Sequence, residues 1–122
     1  MTSGPGFAKH PEHRITVKPA GVRVRIFARG ELIADTRDAF LLEETGYRPV
    51  YYVPREDVRM ERLARSQHRT HCPFKGEASY FSLAGGAENA AWTYEDPYDE
   101  VHVIKDLLAF YPHKVDAIEA GL

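Results

Sequence analysis

The most regular hydrophobic pattern in the chain is an alternation over residues 22–27. Val24 and Ile26 are aliphatic, and Arg23 and Arg25 lie between and beside them. Because successive side chains of a strand point to opposite faces, a period of two predicts a half-buried β-strand. One face of this strand should join the core, and the other should carry the two arginines.

A turn follows this strand, and similar patterns recur along the chain. The pair Arg29-Gly30 separates it from the run ELIADT at 31–36, and an X-Gly pair between strand-like runs favours an antiparallel hairpin. Gly85-Gly86 marks a second hairpin turn in the same way. The remaining strand-like runs are short and bounded by glycine or proline; they occupy residues 14–18, 39–44, 49–54, 77–83 and 87–94.

Two segments favour helices. Residues 54–66, PREDVRMERLARS, start with acidic residues and end with arginines, which suits a helix of two to three turns. Residues 101–112, VHVIKDLLAFYP, carry a narrow polar stripe at helical spacing, with Asp99 as the N-cap and Pro112 as the stop. The tail after Pro112 is short enough to add only an edge strand. The element order predicts a mainly β (α+β) domain with two antiparallel sheets and two helices.

Length and composition narrow the class of protein. The 122 residues suit one domain, which we place at 14–122 after a flexible polar lead-in at 1–13. The formal charge of −2 provides no basic field, so we do not favour nucleic acid as a partner. The apolar runs are too short to span a membrane, which takes about 20 residues. One cysteine and no secretory signal lead us to expect the cytoplasm.

The segment 66–83 concentrates reactive side chains. Cys72 would act as a nucleophile if His71 and Lys75 favoured its thiolate; equally, a lone Cys beside Pro73 is typical of a buried structural position. His68, His71 and Cys72 fall short of the four ligands of a structural zinc site, so we expect no metal and no cofactor. Lys75-Gly76 lacks the upstream glycines of a phosphate loop. Lys75 alone could still meet an anionic ligand, or form a surface ion pair.

Aromatic and charged residues on several strands suggest a pocket. If the sheets curve, Arg23 and a tyrosine from the pair at 51–52 would converge with Tyr80, Trp92 and Tyr94, and aromatics with a few polar groups describe a small-molecule site. Each aromatic taken singly fits the core equally well. Asp57 is either an acid or base, or a charge at a helix start.

These motifs together resemble the DUF427 family, a group of small bacterial and fungal domains of undefined function. The resemblance runs from about Val22 to Tyr111, and its most specific pieces are YVP at 52–54 with Asp57, THCPFKG at 70–76, Tyr80, and WTY at 92–94 with Pro97. It implies a β-tent (Mss4-like) fold, in which two antiparallel sheets leave a cleft. Zinc-binding members of that architecture use two Cys pairs, which this sequence lacks. A nucleotidyltransferase-like label also attaches to the family, but the Gly-Ser pair and paired aspartates of such enzymes are missing.

The sequence therefore supports two hypotheses. The first is a cytoplasmic domain that binds a small polar or anionic ligand in an aromatic-lined cleft built from Arg23, Tyr52, Asp57, Thr70, Tyr80, Trp92 and Tyr94, with Cys72 and Lys75 as candidate catalytic residues. The second is a non-catalytic domain that recognises a protein or nucleic acid. Exposed arginine-rich strand edges could also support a homodimer.

Overall fold

The computed structural model describes residues 2–121, and strands dominate it. These residues form ten strands: β1 Ile15–Pro19, β2 Arg23–Ala28, β3 Glu31–Thr36, β4 Phe40–Glu44, β5 Val50–Tyr52, β6 Leu63–Cys72, β7 Gly76–Leu83, β8 Ala91–Tyr94, β9 Leu108–Phe110 and β10 Ala117–Gly121. The mainly β class and both expected hairpins, β2–β3 and β7–β8, are confirmed. The tail also supplies the expected edge strand, because β10 pairs with β2.

Three antiparallel sheets form where two were expected. Their strand orders are β1-β4-β5, β10-β2-β3 and β6-β7-β8-β9. Val53 and Leu108 exchange backbone hydrogen bonds of 2.8 and 2.9 Å, which joins the end of β5 to β9. The first and third sheets are therefore connected along one edge.

The core divides into two clusters that follow this arrangement. The larger cluster packs β2 and β3 against the third sheet and includes Val24, Ile26 and Phe81. The smaller cluster lies between the first and third sheets and includes Leu42, Tyr52 and Ile104. The alternation at 22–27 is visible in burial, since Val24 and Ile26 are buried while Arg23 and Arg25 are only half-buried.

The prediction of a helix at residues 54–66 is wrong. This segment forms two one-turn 3₁₀ helices, Arg55–Asp57 and Met60–Arg62, and then enters β6. The backbone of Arg59 donates to Ile33 at 2.8 Å, and Val58 bridges to Ala34. Bonds to β3 thus replace the bonds that a helix would make within itself.

The prediction of a helix at residues 101–112 is also wrong. Asp99–Ile104 is a kinked 3₁₀ segment whose first turn has no side-chain cap, so Asp99 is not an N-cap. The apolar run after it becomes β9, in which all three residues are buried. A strand buried on both faces has a continuous apolar sequence, which periodicity cannot distinguish from a buried helix.

Residues 2–14 precede the first strand and include one short α-helix, α1 at Gly6–Lys9. Its first residue, Gly6, donates a backbone hydrogen bond of 2.9 Å to Pro73 in the β6–β7 turn. A last one-turn 3₁₀ helix, Pro112–Lys114, leads into β10. Within residues 2–121, none of the helices has the length and apolar character that crossing a bilayer requires.

Candidate functional site

A cleft of about 680 Å³ lies between the first and third sheets. The β4–β5 hairpin forms one side, and β7, β8 and the residues after β9 form the other. The β6–β7 turn closes one end. Seven of the eighteen lining residues are Phe, Tyr or Trp, among them Tyr52, Tyr80, Trp92, Tyr94 and Tyr111, and Cys72 also lines the cleft.

Strand alternation explains why these side chains meet. Trp92 and Tyr94 stand two residues apart on β8 and therefore share the face that lines the cleft. Thr93 between them points to the opposite face, where it is fully buried and its hydroxyl accepts from Arg55 at 3.1 Å. Tyr80 lies directly opposite Trp92 on β7. Neighbouring strands thus place three aromatic rings side by side.

One end of the cleft contains a buried ionic cluster of three side chains. Glu44 Oε2 lies 2.8 Å from His13 Nε2, and Glu44 Oε1 accepts a hydrogen bond from Lys75 Nζ. The side chains of Glu44, Lys75 and His13 are only 7%, 11% and 14% exposed. A charge this deep is stable only when it is paired, so Glu44 satisfies the Lys75 ammonium and also takes part in a hydrogen bond with the His13 ring.

The β6–β7 turn holds Lys75 in place through contacts on two sides. The Phe74 ring stacks on His13 with centroids 3.9 Å apart, and its other neighbours are Phe7 and Gly6. A Cβ added at Gly6 would lie 2.8 Å from Phe74, so the close approach of α1 requires glycine. The Lys75 carbonyl accepts from the Tyr98 amide at 3.1 Å. Residues before β1 therefore help to build this end of the cleft.

The aromatic side of the cleft is also ordered by contacts. Trp92 Nε1 donates to the Tyr52 hydroxyl at 3.2 Å, and the Trp92 ring lies 4.4 Å from the Tyr111 ring. The Tyr80 hydroxyl lies 2.8 Å from Thr70 Oγ1. These bonds hold the rings in fixed positions along the cleft.

Two tyrosines at the floor remain neutral. Burial raises the pKa of Tyr52 far above its usual value, although the Trp92 hydrogen bond opposes this, and burial likewise raises the pKa of Tyr94. Tyr94 is 6% exposed and lines the cleft, and its hydroxyl has no hydrogen-bond partner among residues 2–121. The floor therefore presents uncharged hydroxyl groups, one of them unpartnered.

Cys72 lies at the end of β6, opposite Gly76, and is half-buried at the cleft. The two cationic neighbours expected to activate it have other partners. Lys75 contacts Glu44, and His71 Nε2 lies 3.3 Å from the Tyr98 hydroxyl. Residues 2–121 contain no group of three or more His, Cys, Asp or Glu side chains arranged to hold one metal ion.

The structure brings together most of the residues singled out from the sequence. Tyr52, Cys72, Lys75, Tyr80, Trp92 and Tyr94 all line the cleft. Thr70 is exposed on β6 and reaches the site only through its bond to Tyr80.

Arg23 and Asp57 lie elsewhere. Arg23 makes a two-point ion pair with Asp35, at 2.8 and 2.6 Å, on the second sheet. That pair raises the pKa of Arg23 and lowers the pKa of Asp35, chiefly through the hydrogen bond. Asp57 accepts from the Thr36 hydroxyl at 2.7 Å. Both residues therefore stabilise the β2–β3 hairpin and its neighbour rather than the cleft.

Sequence reasoning missed His13, Glu44, Arg48 and Tyr111, which also line the cleft. Glu44 could have been found by strand alternation, because it lies two residues after the buried Leu42 on β4 and so shares its inward face. His13 carried none, since it precedes the first strand and reaches Glu44 only through the packing around Phe74.

Comparison with curated proteins finds no match to this chain. The model of one family, described as a domain of unknown function (DUF427), matches residues 16–121. That range contains every cleft residue named above except His13, and it confirms the resemblance carried by the sequence motifs. The chain belongs to the DUF427 family.

Proposed function

We propose that this domain binds a small polar or anionic molecule in the aromatic cleft, and that it does so in the cytoplasm. The observation that carries the proposal is the unpartnered Tyr94 hydroxyl, within the part of the chain that the structure describes, at the floor of a cleft of about 680 Å³. Ligand sites are typically concave, mostly apolar and supplied with a few placed polar groups, and this cleft has each feature. A cleft between two antiparallel sheets also supports the β-tent assignment.

The polar end of the cleft adds support from charge. Lys75 and His13 flank one carboxylate, and Arg48 lines the cleft from the exposed β4–β5 turn. The cationic side chains at the site thus outnumber the single carboxylate of Glu44. This balance favours a ligand that carries negative charge or accepts hydrogen bonds.

The experiment uses the only tryptophan of the chain as its reporter. Trp92 lines the cleft, so an occupant should change its fluorescence. A library of polar and anionic metabolites is screened by thermal shift, and each hit is titrated against Trp92 emission. A ligand at a hundredfold excess over its Kd stabilises the native state by about 2.7 kcal/mol.

Matched variants decide whether a hit occupies the cleft. Tyr94→Phe removes the floor hydroxyl, whereas Tyr51→Phe removes a neighbouring hydroxyl from the opposite face of β5, which packs on the larger core. We expect hits to weaken in Tyr94→Phe alone. A library without hits, or hits that leave Trp92 emission unchanged, would contradict the proposal.

A catalytic version places Cys72 as nucleophile or acid/base with Lys75 stabilising developing negative charge. Arg23 takes no part in it, since it pairs with Asp35 on another sheet. The rate of Cys72 alkylation by iodoacetamide tests this version. A rate above that of a free thiol at the same pH would support an activated thiolate, and a lower rate would leave binding as the function.

A further inference from the structure

The charges of the cleft are distributed unevenly between its floor and its mouth. Lys75 and His13 both contact Glu44, so the Lys75 charge is already compensated where the cleft is deep. Arg48 lies on the exposed turn between β4 and β5 and also lines the cleft. No acidic side chain of residues 2–121 forms an ion pair with Arg48. Arg48, at the mouth of the cleft, is therefore the cation that a ligand can contact.

The floor offers hydrogen-bond donors instead of charge. The Tyr52 oxygen already accepts from Trp92, so the remaining strong capacity of that hydroxyl is to donate its own proton. The Tyr94 hydroxyl has no partner within the described chain and is free to donate as well. A phenol is protonated at neutral pH, so an acceptor oxygen of a ligand would satisfy the Tyr94 hydroxyl.

Between floor and mouth the wall is aromatic. Trp92 and Tyr111 are each half-buried and form a ring pair at 4.4 Å, so part of their apolar surface faces the cleft. Flat rings pack well on such surfaces, in offset or tilted geometry. The middle of the cleft is therefore suited to a planar ring.

From these three layers we propose that the ligand is a flat cyclic acid with an uncharged carbonyl group on the opposite side of its ring. The carbonyl oxygen accepts from Tyr94 at the floor, the ring packs on Trp92, and the acid group meets Arg48 at the mouth. This inference rests on the proposed binding function and adds the ligand class and its orientation.

Three simple compounds test the ligand class. 4-Acetylbenzoate has the ring, the carbonyl and the acid; 4-isopropylbenzoate has the same shape without the acceptor oxygen; acetophenone has the carbonyl without the acid. Each is titrated into the full chain while Trp92 fluorescence is followed. We expect 4-acetylbenzoate to bind about tenfold more tightly than either of the others, because a buried hydroxyl left without a partner, or a missing ion pair, costs affinity of that order.

Two variants assign each preference to a residue. Tyr94→Phe should reduce the preference for the acetyl over the isopropyl compound to less than about twofold, because it removes the donor. Arg48→Gln should reduce the preference for the acid over acetophenone in the same way. Tyr51→Phe, outside the cleft, should leave both preferences unchanged.

The outcomes separate this inference from the function on which it rests. If metabolite hits change Trp92 emission but 4-acetylbenzoate does not bind, or binds no better than 4-isopropylbenzoate, the ligand class is wrong while the binding function stands. An acetyl preference that survives Tyr94→Phe overturns the orientation. If neither the library nor the three compounds affect Trp92, both proposals fail.

Discussion

At the scale of single residues, burial gives chemically identical side chains different properties. The chain has seven tyrosines, of which Tyr47 is 71% exposed while Tyr52 and Tyr94 are buried at the cleft floor. An exposed phenol exchanges its proton with water near its usual pKa of about 10. A buried phenol resists ionisation because the charged form loses its hydration. The floor hydroxyls therefore keep their protons to a higher pH than an exposed tyrosine does.

The raised pKa values of Tyr52 and Tyr94 predict a loss of stability in alkali. Above about pH 10 the unfolded chain releases these protons while the folded chain keeps them, so the unfolded state gains free energy from the release. The free energy of unfolding should fall by about 1.4 kcal/mol per pH unit for each buried phenol. The full slope applies above about pH 11, where the unfolded phenols are ionised, so urea unfolding from about pH 9 to pH 12 measures its onset and its size.

Two phenylalanine variants provide the comparison for this slope. Tyr94→Phe should reduce it by about a third, because burial also raises the pKa of Tyr111, to about 12, and one of three contributing phenols is gone. Tyr47→Phe should leave it unchanged, because Tyr47 is exposed in both states. Equal slopes in all three proteins would show that Tyr94 ionises freely in the folded domain.

Strand alternation identifies some of the cleft residues from the sequence but not all of them. Strand alternation by itself places Trp92 and Tyr94 of β8 on a common face. Arg23 fulfils the same alternation, yet its strand lies in the second sheet, where Asp35 is its partner. Alternation shows which side chains share one face of a strand, but it does not show which sheet packs against that face. For that reason the sequence wrongly suggests Arg23 for the cleft and gives no sign of His13.

At the scale of elements, the β6–β7 turn depends on one glycine. Gly76 has a φ of +112°, and a Cβ there would lie 3.3 Å from the Asp96 carbonyl oxygen and 3.5 Å from Pro97 Cα. These neighbours are backbone atoms and cannot easily move aside. The turn that carries Phe74 and Lys75 therefore requires glycine at its end, for both conformation and space.

We predict that Gly76→Ala destabilises the domain by about 2 kcal/mol or more, through the strained φ and the contact together. Gly21→Ala is the matched control: Gly21 has a φ of +72°, but nothing lies within 4 Å of an added Cβ. It should cost only the conformational part, about 1 kcal/mol. Urea unfolding compares the two variants, and equal costs would show that the Asp96 and Pro97 contacts relax without penalty.

The two wrong helices show how much of an element depends on distant parts of the chain. Residues 54–66 contain good helix formers, but Val58 and Arg59 bond to β3, which local propensity cannot foresee. Residues 108–110 resemble a helix in sequence because both faces of β9 are buried. Strands β1 to β5, β7 and β8 coincide with predicted strand-like runs, because alternation is visible when one face meets water. β6 is mostly exposed, but its sequence does not alternate and its first residues belong to the segment expected to be a helix, so it was missed.

At the scale of the whole molecule, the ion pair between Glu44 and Lys75 connects two sheets. Glu44 is the last residue of β4 in the first sheet, and Lys75 belongs to the turn that precedes β7 in the third. The pair therefore spans the closed end of the cleft. A buried pair contributes to holding such a junction only while both charges are present, because removal of one leaves the other without a partner.

This reasoning predicts strong coupling between Glu44 and Lys75. Glu44→Gln should reduce the free energy of unfolding by about 3 kcal/mol, because it leaves the buried Lys75 charge without its carboxylate. Lys75→Met should cost less, because Glu44 keeps its contact with His13. The double variant removes both charges and should lose much less than the sum of the two.

Glu43→Gln and Lys18→Met on the exposed face of β4 and β1 are the control, since that pair is 46% and 62% exposed and should contribute less than about 1 kcal/mol. Urea unfolding of the two cycles measures both couplings; additive costs for Glu44 and Lys75 would show that the ion pair does not hold the sheets together.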